Sequence, residues 1–105
     1  MTEYNKLVRD EIPKIIEARG DECKIHIAED PEYQEKLNEK LLEEVKEFLD
    51  SKNPEDRKEE LADILEVINA ICEFHGFNKY EIEQTRKEKC EKKGGFSQKI
   101  ILEES

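Results

Sequence analysis

At 105 residues the chain has room for one domain, and with 35% hydrophobic against 44% charged residues its private core is thin. A net charge of −10 argues against nonspecific affinity for nucleic acid polymers or anionic membranes. No window approaches a membrane span, the first residues lack a signal-peptide apolar region, and three cysteines without C-x-x-C spacing (Cys23, Cys72, Cys90) fit a reduced, cytoplasmic protein.

Leu7 and Val8 enter as packing residues. Asp10 predicts an N-cap, with Glu11 and Pro13 in the first turn of a helix that carries Ile12, Ile15 and Ile16 and closes at Gly20. Lys6, Arg9 and Asp10, near this apolar start, read as capping and surface charge. Next, Cys23, Ile25 and Ile27 alternate with Lys24, His26 and Ala28, which predicts a short strand. Residues 96–102 are the other strand candidate. A lone strand cannot satisfy its ladder hydrogen bonds, so the two are expected to pair as a small two-stranded β element. His26 reads as a surface residue with no ligand-spaced partner.

Asp30-Pro31 predicts an N-cap with proline at N1, opening a long helix to about Leu49. Asn53-Pro54 repeats the device, with Glu55 and Asp56 suited to the positive helix end, and that second long helix ends at Gly76. His75, in its last turn, suits the negative end. Asn78 with Glu81 restarts a helix from Lys79 to about Lys92 in the manner of a capping box. Arg86, Lys89 and Lys93 recur at spacings of three and four and share a face before Gly94-Gly95. Basic residues there complement the helix dipole; equally, they offer the cationic rim a triphosphate needs beside a carboxylate site. No G-x-x-x-x-G-K-[ST] loop is present, which excludes a P-loop fold.

The two long helices carry the chemistry. Each holds two acidic residues three apart, Glu44/Glu47 and Glu60/Asp63, and such residues are neighbours on a helix surface, with Cβ atoms about 5–6 Å apart. If the helices pack antiparallel across the short loop at residues 51–54, the pairs can face each other. Four converging carboxylates cannot all stay ionised without a cation, and a hard divalent ion, Mg²⁺ or Mn²⁺, is the natural one. On a helical projection Leu61, Ile64, Leu65, Val67, Ile68, Ile71 and Phe74 form one wide apolar band. Glu60 and Asp63 fall within it, where an unpaired carboxylate is costly. Glu44 and Glu47 lie at the edge of the Leu37/Leu41/Val45/Phe48 stripe. The wide band in so small a chain predicts a homodimer or a dimer of dimers; the alternative is a monomer whose terminal segments cover it.

This pattern, E-x-x-E, a gap of 12 residues, then E-x-x-D, set in KLLEEVKEFL and EELADILEVI, resembles the all-α nucleoside triphosphate pyrophosphohydrolases. That superfamily includes the MazG-like enzymes, dimeric dUTPases and phosphoribosyl-ATP pyrophosphohydrolase. YNKLVRDEIPKII at the start and RKEKCEKKGGFSQKIIL at the end are similar to a compact single-domain MazG-like subgroup, so the likeness covers nearly the whole chain. It implies a mainly α fold, a four-helix MazG-like bundle. It also implies hydrolysis of a nucleoside triphosphate to monophosphate and pyrophosphate, with the metal on Glu44, Glu47, Glu60 and Asp63. Glu44 or Glu47 is the candidate general base. The likeness gives a phosphate-contacting role to the basic residues before Gly-Gly-Phe, here Arg86, Lys89 and Lys93, and lets Lys6, Arg9 and Asp10 reach the active site. Cleavage of phosphoribosyl-ATP is the nearest enzymatic alternative to a broad house-cleaning activity. Outside enzymology, a non-catalytic nucleotide-binding helical dimer and a plain acidic interaction module compete.

Overall fold

Local signals in the sequence decide where the helices begin and end. The computed structural model describes residues 2–105 and contains four helices: α1 (Ile12–Ala18), α2 (Asp30–Asp50), α3 (Pro54–His75) and α4 (Lys79–Lys93). Asn53 caps α3 as expected, its Oδ1 accepting from the Asp56 amide at 2.9 Å, with Pro54 in the first turn. At the far end Gly76 adopts φ +72°, and the Phe77 amide donates to the Cys72 carbonyl at 2.9 Å, closing the helix in a left-handed cap. Asn78 caps α4 by accepting from the Tyr80 amide at 2.8 Å.

Two caps differ from the sequence expectation. Glu11, not Asp10, stands at the N-cap of α1, and Glu29, not Asp30, at that of α2; neither side chain makes a capping bond. The shifts run in opposite directions: α1 starts one residue later than an Asp10 cap implies, and α2 one residue earlier than an Asp30 cap implies. Both leave the proline at the second helical position, where its missing N–H belongs to the donors that have no intrahelical partner.

Helices α2 and α3 form an antiparallel hairpin, the one extensive helix–helix contact among the described residues. Its tight loop is pinned at both sides. Ser51 Oγ donates to the Phe48 carbonyl at 2.6 Å, and the Arg57 guanidinium lies 4.0 Å from the centre of the Phe48 ring. Leu37, Val67 and Cys72 form the small buried core between the two helices, and Tyr33 meets Phe74 edge to face at 5.5 Å near the open end. All three cysteines are free. No helix among the described residues is long and apolar enough to cross a membrane.

The expected two-stranded β element is absent among the described residues. Residues 23–27 and 96–102 do not exchange backbone hydrogen bonds. At residues 96–99 the chain turns instead, with the Lys99 amide donating to the Phe96 carbonyl at 3.2 Å and Lys99 at φ +60°. Alternating side chains favour extended backbone, but a strand needs a partner ladder, and the chain brings none alongside. Ile25, Ile27, Phe96, Ile100, Ile101 and Leu102 are consequently exposed.

Candidate metal centre

The hairpin brings the acidic residues together for a simple reason of register. Glu44 and Glu60 each stand eight residues from Lys52 in the loop, so an antiparallel pair of helices puts them at the same level. Glu47 lies one turn nearer the loop on the face Glu44 shares. Carboxylate oxygens of Glu44, Glu47 and Glu60 all lie within 4.8 Å of one another.

Burial within this group runs against the sequence projection. Glu44, expected at the edge of its stripe, is only 6% exposed and is the one buried charged residue among the described residues. Glu60 is half-buried, and Asp63, expected within an apolar band, keeps 38% of its side chain exposed. The projection identified each helix's apolar sector but not how far the helix rolls within it. The row Leu37, Leu41, Glu44 and Phe48 turns toward α3, which carries Glu44 inward.

Lys40, one turn back on α2, reaches Glu44 Oε1 at 3.4 Å and Glu43 Oε2 at 3.3 Å. Glu44 Oε2 and Glu60 Oε2 are buried and have no hydrogen-bond partner. Burial pushes the Glu44 carboxyl above its ordinary range, helped by the neighbouring Glu47 carboxyl and opposed by Lys40. Burial likewise raises Glu60, with the charges of Asp63 and Glu44 adding to it and a hydrogen bond with the Glu47 carboxyl opposing it. Both glutamates are therefore short of positive charge.

Asp63 is engaged elsewhere: Arg9, from the segment before α1, places Nη2 at 2.7 Å from Asp63 Oδ1. Lys6 reaches Glu43 Oε1 at 3.4 Å. The N-terminal segment thus lies across the carboxylate face of the hairpin, where Tyr4, Lys6, Arg9, Lys40, Glu44 and Asp63 help to wall a cleft of about 430 Å³. Residue types alone give Lys6 and Arg9 as capping and surface charge, and only the family likeness lets them reach the active site. The apolar pattern of Leu7, Val8 and Ile12 was the available sign that this segment docks.

Arg86, Lys89 and Lys93 stand on α4, and no hydrogen bond or ion pair joins them to the four carboxylates. Arg86 grips Glu83 on its own helix, Nη2 to Oε1 at 2.6 Å, which holds the Glu83 carboxyl below its ordinary range. Asp10 is exposed and, being acidic, offers the cluster no countercharge. His26 Nε2 lies 3.0 Å from Glu32, and His75 stacks on Phe77 with ring centres 5.1 Å apart. Neither histidine belongs to the carboxylate group.

The donors fit a hard divalent cation. All are carboxylates, and two of the three residues, Glu44 and Glu60, each keep one buried oxygen without a partner. Oxygens on opposite sides of a Mg²⁺ ion, each at about 2.1 Å, stand roughly 4 Å apart, and slightly more around a larger ion. Their spread of up to 4.8 Å therefore closes on one ion with small side-chain adjustments. The chain matches no known protein family, curated protein or solved structure.

Proposed function

We propose that the chain is a metal-dependent nucleoside triphosphate pyrophosphohydrolase, with Glu44, Glu47, Glu60 and Asp63 as the set that holds Mg²⁺ or Mn²⁺. One observation carries the reading: Glu44 and Glu60, one on each helix of the hairpin, each keep a buried carboxylate oxygen without a hydrogen-bond partner, and their carboxylates come within 4.8 Å of each other and of Glu47. Structural ion pairs end in partners; these do not.

When bound, the ion supplies charge neutralisation for phosphate oxygens and acidifies a water. The chain's own residues do the rest. Glu47, exposed beside the buried pair, is placed to take a proton from water arriving from solvent. Glu44, held from the opposite side by Lys40, is fixed in its rotamer and serves as a ligand. Lys6, Arg9 and Lys40 give the face of an otherwise acidic protein the positive charge that a phosphate chain requires. In this reading Arg86, Lys89 and Lys93, which make no hydrogen bond or ion pair to these carboxylates within the chain, would add phosphate contacts from the α4 of another copy.

A second copy is itself part of the proposal. The chain exposes 9790 Å², against about 6,100 Å² for a compact monomer of its mass. Its radius of gyration of 17.9 Å exceeds the roughly 13 Å of a globule this long. Leu42, Val45 and Leu49 on α2 and Leu61, Leu65 and Ile68 on α3 are all exposed. Helical rotation turns both sets to the same side of the hairpin, away from the N-terminal segment. Joining two such faces would produce a four-helix bundle with the carboxylates on its outer flanks.

A screen for pyrophosphate release across nucleoside triphosphates and phosphoribosyl-ATP, with and without Mg²⁺, tests the reading. Release that needs the metal and disappears in Glu60→Gln or Asp63→Asn supports it. Nucleotide binding without release would leave a non-catalytic dimer, and near-normal turnover in both variants would remove the site.

A further inference from the structure

Of the four acidic residues, Asp63 alone is missing from the group whose oxygens converge, and Arg9 holds it. We propose that Arg9 is an exchangeable counter-ion. It pairs with Asp63 while the site is empty of metal, and it turns to the phosphate chain of a bound ligand once a divalent cation has taken Asp63. The cleft between the N-terminal segment and the hairpin is then an anion subsite for di- and triphosphates. This inference rests on the metal reading above and adds the order in which charges are matched.

Three features support exchange over a fixed structural bridge. The Arg9 and Asp63 side chains are 56% and 38% exposed, so water reaches both and neither is costly to release. A guanidinium presents a planar fork that suits a phosphate as well as a carboxylate, so Arg9 loses nothing in geometry by changing partner. Finally, Arg9 shares its cleft with Lys6 and Lys40, and each of these three cations is tied to a carboxylate by an ion pair. A divalent ion on Glu44, Glu47, Glu60 and Asp63 replaces what Arg9 and Lys40 do for Asp63 and Glu44. It leaves those two cations facing the cleft with charge to spare for an anion. Metal and anion binding are thereby coupled through one side chain.

The test uses Mn²⁺ alone, followed by electron paramagnetic resonance of the free ion, and inorganic pyrophosphate titrated calorimetrically at saturating Mg²⁺. In Arg9→Gln the Mn²⁺ affinity is expected to rise about two- to fivefold, because a competing charge is gone. The pyrophosphate affinity is expected to fall about tenfold, through loss of a charge-assisted contact. Arg9→Lys, which keeps the charge without the fork, should weaken pyrophosphate while gaining less for Mn²⁺, and it serves if the glutamine variant fails to fold. Opposite shifts are the signature, since a merely structural bridge would weaken both ligands or neither. Wild-type Mn²⁺ binding with pyrophosphate affinity unmoved by either Arg9 variant overturns this inference alone; absence of Mn²⁺ binding in the wild type overturns the metal reading with it.

Discussion

Lys40 Nζ stands 3.4 Å from Glu44 Oε1, one turn away on the same helix, while the other oxygen of that buried carboxylate meets no donor. One half of Glu44 is neutralised from within the chain and the other is left open. The metal-free protein accordingly carries a cost that either a proton or a cation can relieve.

The proton route gives a pH dependence. Burial and neighbouring acids raise the folded-state values of Glu44 and Glu60 above their ordinary 4.5. The folded chain therefore holds protons that the unfolded chain has released, and its stability falls as pH rises through the folded values. In chelator, the melting temperature should increase as pH drops from 7 toward about 5. The variant Glu44→Gln/Glu60→Gln should melt higher than wild type at pH 7 and show a shallower slope; an unchanged slope contradicts the assignment.

The cation route has the opposite sign. At pH 7 to 8, Mg²⁺ or Mn²⁺ should raise the wild-type melting temperature with saturable dependence, and a concentration 100 times the dissociation constant adds about 2.7 kcal/mol. Acidification should erase that gain, because the ligands must be ionised. Thermal melts of Glu44→Gln or Glu60→Gln with and without metal should show most of the shift gone, while Glu66→Gln, on the solvent side of α3, keeps it.

The exposed apolar side of the hairpin should set the assembly. Leu65 is 60% and Leu42 is 71% exposed, each on an open face of its helix. Leu65→Glu or Leu42→Glu would place a charge in the interface of two copies, and light scattering coupled to gel filtration should report a shift to the monomer. If the wild type already elutes as a monomer, the joined-hairpin arrangement is wrong.

Two further substitutions check the hairpin itself. Leu37 is 2% exposed, and Leu37→Ala should cost about 2–5 kcal/mol in denaturant unfolding. Asn53→Ala removes the acceptor for the Asp56 amide and should cost about 1 kcal/mol. Because Asn53 lies in the loop that sets the register of Glu44 against Glu60, its loss should also weaken metal-dependent stabilisation.

The chain by itself determined the four helices, since Pro13, Pro31, Asn53, Gly76 and Asn78 act through backbone conformation and capping within a few residues. It also determined that Glu44 and Glu60 lie level, because a short loop leaves two helices one way to run. Tertiary structure alone decided which carboxylate is buried, for the roll of α2 depends on what packs against it. It alone brought Arg9 to Asp63 across 54 residues of chain. Alternation at residues 23–27 and 96–102 described a local conformation without naming a partner, and a β ladder exists only where a second backbone is supplied.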